Sequence, residues 1–156
     1  MKLYLIRHGK TEANERRLYC GSTDLPLSEA GLAELGQLRY EIPAGCRFVT
    51  SGMKRTDQTL ERLFGPVPHS ADPRLREIDF GVFEMHSYEQ LRLDPDYLQW
   101  ISGDNEKNIP PQGESGEQMK SRVLEALEGL LRDDQDTVLI VHGGTAAVIL
   151  EHLFPR

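Results

Sequence analysis

The sequence predicts an α/β fold, a three-layer sandwich in which a mainly parallel central sheet lies between flanking helices. Two observations predict it. Three short apolar runs without helical period, at residues 3–6, 48–49 and 138–141, alternate with amphipathic helical stretches. Neither an internal repeat nor a domain linker interrupts the 156 residues, which is the size of one ordinary domain.

Leu3 to Ile6 is a continuous apolar run, the pattern of a strand buried on both faces. A polar stretch follows to Asp24, then the turn-like "DLPLSEAG", where Ser28 is placed as an N-cap. Leu32, Leu35 and Leu38 supply a helical stripe. Phe48-Val49 marks a second strand. "TSGMKRTDQTLERLF" reads as a turn and then a helix with Leu60, Leu63 and Phe64 on one side. Residues 65–73 are proline-rich and loop-like, and "LREIDFGVFE" carries mixed signals. Residues 85–116 form an excursion, a short helix and then loop, that holds the only tryptophan, Trp100. "SGEQMKSRVLEALEGLLR" is the clearest helix. Ser115 and Gln118 form a capping box, and Met119, Val123, Leu127, Leu130 and Leu131 form the stripe. Val138 to Val141 is a fully apolar strand ending in "HGGT", and Thr145 to Leu153 is the last helix.

Composition narrows the function. A formal charge of −7 argues against a nucleic-acid binder but leaves room for a local arginine cluster that takes an anion. Cys20 and Cys46 are far apart and in no C-x-x-C pattern, which fits a reducing compartment. No run approaches the roughly 18 apolar residues of a membrane span. The first apolar run is too short for a signal peptide, so a cytoplasmic location is expected. No histidine pair has metal-ligand spacing on one helix, and His69, His86 and His152 are given no chemical role. Tyr97 and Trp100, at helical spacing, are expected to pack rather than to stack on a substrate.

In open α/β sheets, ligands bind beyond the carboxyl ends of the strands. Arg7 and His8 follow the first strand, Ser51 and Arg55 the second, and His142, Gly143 and Gly144 the third. If the strands are parallel, two arginines and two histidines converge on one edge. The planar guanidinium suits paired phosphate oxygens. The glycine pair leaves backbone N–H groups open to an anion at a helix start. A neutral imidazole at His8 is a competent nucleophile toward phosphorus. The leaving oxygen needs a proton. Glu77 leads as its donor, although chemistry alone does not choose it over Asp79, Glu84 or Glu12.

These segments resemble the histidine phosphatase superfamily, also described as phosphoglycerate-mutase-like. "RHGKTEAN" resembles its R-H-G-x-T-x-x-N signature, and "GSTDLPLSEAG" its G-x-x-D-x-P-L-x-x-x-G segment. "SGMKRTDQT", "LREIDFGVFE" and the "HGG" after a strand match its three later motifs in the expected order. The resemblance implies that His8 is the phosphorylated nucleophile. Arg7, Arg55 and His142 would bind the phosphate with help from Asn14, and Glu77 would donate the proton. It also marks Thr11, Cys20, Gly21, Gly143 and Gly144 as substrate-binding positions.

No metal or cofactor is implied. The expected partner is a small-molecule phosphate ester, handled by a single domain over residues 1–156, as monomer or homodimer, with the excursion covering the substrate. The implied activity is a phosphatase working through phosphohistidine. The chain's length argues against the alternative, a phosphoglycerate mutase, whose members usually carry long insertions; a non-catalytic phospho-ligand binder is the third reading. Within the compact phosphatases, "LREIDFGVFE" most resembles the α-ribazole-phosphate phosphatase group. Lys10 and Met85 depart from the pattern, which usually has Glu or Gln and Gly at those places. Relatives often continue with another strand and helix beyond the last helix, a further departure at the sheet's edge.

Overall fold

The computed structural model describes residues 1–104 and 106–156. Four parallel strands build the sheet: β1 (Leu3–Arg7), β2 (Arg47–Thr50), β3 (Ser70–Ala71) and β4 (Thr137–Val141), in the order β1-β4-β2-β3. The helices are α1 (Glu12–Glu15), α2 (Glu29–Leu35), α3 (Lys54–Phe64), α4 (Tyr88–Leu91), α5 (Pro95–Trp100), α6 (Gly116–Arg132) and α7 (Gly143–Leu153).

Strand alternation divides the core into two layers. On one face of β4, Leu139 and Val141 pack with Met119, Val123 and Leu127 of α6 and Ile149 of α7. On the other, Val138 and Ile140 pack with Leu60 of α3, flanked by Phe48 and Phe64. All five residues of β4 are buried, which explains the uninterrupted apolar run from Val138 to Val141. The α/β sandwich expected from the sequence is therefore the observed one. Among the described residues, no helix is long and apolar enough to cross a membrane.

Several local expectations are corrected. β1 was expected to be buried on both faces. It is instead the edge strand beside β4, and Leu3 to Ile6 are only half-buried. An apolar run cannot distinguish a central strand from an edge strand that packs well on its faces. The loop over residues 65–73 holds β3, which pairs with β2 through two residues, too short to leave a pattern. The α2 stripe is only partly inward: Leu35 is buried, whereas Leu32 and Leu38 are exposed and Leu38 lies past the helix end. In α6, Met119, Val123 and Leu127 are buried as expected, while Leu131 is exposed.

Side-chain caps set the helix starts. Ser115 and Gln118 cap α6 reciprocally, and the Ser28 hydroxyl accepts from Gly31 N–H at 3.0 Å. The start of α3 has no cap from its own sequence. Asp24 supplies one from a distant loop, accepting from Lys54 N–H at 2.8 Å. The excursion carries its own aromatic cluster, Phe83 and Tyr97 with Tyr19, Phe80 and Trp100 around them. The Tyr19 and Tyr97 hydroxyls lie 2.7 Å apart, so Tyr97 and Trp100 serve packing. Tyr19 also ties the excursion to the loop after α1, because its carbonyl accepts from Met85 N–H at 2.7 Å.

Candidate active site

β1, β2 and β4 run parallel, so their carboxyl ends deliver Arg7 with His8, Ser51, and His142 to one edge. His8 extends the ladder by one residue, its N–H donating to Val141 carbonyl at 2.9 Å. The two imidazoles consequently meet, with ring centroids 5.0 Å apart and an interplanar angle of 63°.

Each ring is held neutral. Burial pushes His8 down to about 4, helped by the positive fields of Arg55 and Arg7 and opposed by its hydrogen bond to Gly9. Burial pushes His142 down to about 2, with Arg55 and His8 adding to the effect. His8 Nδ1–H donates to the Gly9 carbonyl at 2.6 Å. A carbonyl can only accept, so this bond assigns the proton to Nδ1 and leaves a lone pair on Nε2. His142 Nε2 lies 2.8 Å from Ser51 Oγ.

Arg55 is 1% exposed, an unusual state for an arginine near the start of a helix. Its guanidinium donates to the carbonyls of Thr23 (2.8 Å) and Gly21 (2.7 Å). Glu84 holds that loop in turn, its carboxylate accepting from Gly21 N–H (2.9 Å), Ser22 N–H (2.7 Å) and the Thr23 hydroxyl (2.8 Å). Arg7 is exposed at the mouth, with its guanidinium lying beside Gly143.

The four carboxylates left open by chemistry separate clearly. Glu12 pairs with Arg16 on the surface of α1. Asp79 accepts from Gly81 N–H and the Ser22 hydroxyl, and Glu84 is the loop anchor. Glu77 alone reaches the glycine pair behind His142, accepting from Gly144 N–H at 3.0 Å and from Ile78 N–H at 2.9 Å. Arg122 of α6 steadies this segment by donating to the carbonyls of Arg74 (2.9 Å), Arg76 (2.6 Å) and Glu77 (3.0 Å) while paired with Glu114.

The remaining expected positions divide. Thr11 and Asn14 form the capping box of α1: Asn14 Oδ1 accepts from the N–H and hydroxyl of Thr11. The Thr11 hydroxyl is thus occupied, and what Asn14 has left to offer an anion is its Nδ2. The N–H of Gly21 faces Glu84 and that of Gly144 faces Glu77, so neither is open to an anion in this state. Cys20 is half-buried with Sγ directed at the Thr23 carbonyl, and burial pushes its thiol up. Arg122 and the anchoring role of Glu84 were not anticipated. Glu84 carried a signal, as the last acid of "LREIDFGVFE"; Arg122 carried none beyond an arginine flanking an apolar stripe. Among the described residues, no group of three or more His, Cys, Asp or Glu side chains could hold a metal ion.

Residues 3–156 match the family model described as histidine phosphatase superfamily, branch 1. The chain belongs to that superfamily. It is 30% identical over 162 residues to the adenosylcobalamin/alpha-ribazole phosphatase of Salmonella typhimurium, covering 98% of this chain and 79% of that protein. Among solved structures, the alpha-ribazole phosphatase of Shigella flexneri aligns over all of this chain and 81% of that one, with a TM-score of 0.88 and 26% identity. The phosphoglycerate mutase of Thermus thermophilus aligns over all of this chain and 86% of that one, at a TM-score of 0.79 and 34% identity. This histidine phosphatase therefore shares the phosphoglycerate-mutase-like fold of both groups.

Proposed function

We propose that this histidine phosphatase hydrolyses a small-molecule phosphate monoester through a phosphohistidine on His8. The observation that carries the reading is the pair of neutral imidazoles 5.0 Å apart, one with its Nε2 lone pair free, beside a buried guanidinium. The phosphoryl group sits between Arg7 and Arg55, which neutralise its oxygens, and His142 and the Asn14 amide, which hydrogen-bond to them. His8 Nε2 forms a bond to phosphorus as the ester P–O bond breaks. Glu77, in its protonated form, gives its proton to the departing alkoxide. A water then attacks the phosphohistidine, giving its proton back to Glu77. The N–P bond breaks, inorganic phosphate leaves, and His8 is regenerated. Every step uses side chains of this chain.

The likeness to the α-ribazole phosphatases of Salmonella and Shigella makes α-ribazole phosphate the first ester to try. The likeness to the Thermus mutase supports a second reading, in which the phosphoryl group returns to a phosphoglycerate. Brief mixing with an ester panel in EDTA, followed by quenching in base, is expected to show acid-labile phosphate on His8. Phosphate release exceeding isomer formation favours the phosphatase. Turnover that persists in His8→Ala would overturn the reading. Vanadate binding without turnover on any ester would identify a binder instead.

A further inference from the structure

The two imidazoles differ in what holds them. His8 is oriented by a carbonyl, which only accepts. His142 is oriented by a hydroxyl, which can do either. Ser51 and His142 are both fully buried, and His142 Nδ1 has no hydrogen-bond partner among the described residues. A buried ring nitrogen without a protein partner marks a place for a ligand atom. A neutral ring carries one N–H, so the direction of the Ser51 bond decides what Nδ1 presents. If Nε2 held the proton, Nδ1 would turn a lone pair toward a phosphate oxygen, which is repulsive.

The surrounding hydrogen bonds favour the other direction. Ser51 Oγ accepts from Met53 N–H at 3.4 Å and lies 3.2 Å from the Thr56 hydroxyl. The Thr56 hydroxyl donates to the Met53 carbonyl at 2.8 Å, which leaves Thr56 Oγ and His142 Nε2 as the acceptors within reach of the Ser51 proton. His142 Nε2 is the nearer, at 2.8 Å against 3.2 Å, and takes it.

We propose that Ser51 is a positioning residue whose hydroxyl donates to His142 Nε2, fixing the neutral ring as the Nδ1–H tautomer and making Nδ1 a phosphate donor. This rests on the phosphatase reading. One ring then offers phosphorus a lone pair and its neighbour offers an oxygen an N–H, a division set by second partners rather than by the imidazoles themselves.

The test is ¹⁵N NMR of the full chain. His142 is expected to show an unprotonated Nε2 and a protonated Nδ1, with the Nδ1 resonance moving when vanadate is added. Ser51→Ala should weaken vanadate binding about tenfold or more and lower kcat/KM by roughly 10²-fold, the scale of one lost preorganised donor. Ser51→Thr, which keeps the hydroxyl, should recover much of that loss. An Nε2–H tautomer in the unsubstituted protein would overturn the proposal. So would unchanged vanadate affinity in a Ser51→Ala protein of normal Tm. If the tautomer is as stated but His8 never carries phosphate, the phosphatase reading fails, and with it the role of Nδ1 as phosphate donor; the hydrogen-bond direction stands.

Discussion

His8 titrates at about 4 because it is buried beside Arg55 and Arg7, and this has two consequences with defined signs. Below about 4, Nε2 takes up a proton and the nucleophile is lost, so kcat/KM is expected to fall about tenfold per pH unit there. Stability moves the same way. Both active-site histidines titrate lower in the folded chain, at about 4 and about 2, than at the ordinary 6.5. The unfolded chain therefore binds more protons as pH falls from 6.5 toward 4. Their contribution is complete above 6.5 and declines through that window. Tm measured across it should fall, and His8→Gln, which cannot titrate, should flatten the slope. A second residue-scale prediction concerns Gly144, where a Cβ would collide with Glu77 Oε1. Gly144→Ala should displace that carboxyl from the site and lower kcat by roughly 10²-fold, the range for a lost general acid, with Tm little changed. Steady-state kinetics with a Tm control checks this. Glu77 was legible in the sequence as a candidate, but its distinction from three other acids was not. Glu84 also reaches distant backbone N–H groups, at Gly21 and Ser22, and only Glu77 reaches the glycine pair behind His142, through Gly144 N–H.

At the scale of elements, the turn that ends the "LREIDFGVFE" block places a non-glycine residue in a left-handed conformation. Met85, where the resemblance leads one to expect glycine, has a φ of +62, in the region that favours glycine. Met85→Gly relieves that strain while loosening the unfolded chain. Stability is expected to stay level or rise by up to ~1 kcal/mol, read by urea denaturation. A rise well beyond that, or a loss, would mean that the side chain's packing outweighs its backbone. Gly81 is the counter-case: its φ is +56 and a Cβ would collide with the Pro111 carbonyl. Gly81→Ala should cost more than 1 kcal/mol in the same measurement. The capping boxes of α1 and α6 arise from residues three apart, which is why Ser115 and Gln118 could be paired by reading alone. The cap of α3 comes from Asp24, thirty residues upstream, and no local pattern announces it.

At the scale of the molecule, β4 is the pivot, pairing with β1 and β2 and feeding both core layers. Ile140→Ala should cost about 2–5 kcal/mol, the range for truncating a fully buried core side chain. Trp100 lies in the excursion, so its fluorescence and far-UV circular dichroism report on different parts of the chain. Coincident transitions would support one cooperative domain over residues 1–156; an earlier fluorescence transition would set the excursion apart. What the sequence determined alone was the α/β class, the order of β1, β2, β4 and the longer helices, and the residues delivered to one sheet edge. These follow from apolar period and from what stands just past each strand, both written in consecutive residues. Tertiary structure decided that β1 is an edge strand, that Arg55 is buried, that Glu84 anchors the loop beneath it, and that Arg122 braces Glu77. The reason is physical. Arg55 and Arg122 are satisfied largely by backbone carbonyls, an acceptor every residue carries, so their partners leave no mark in the pattern of side chains.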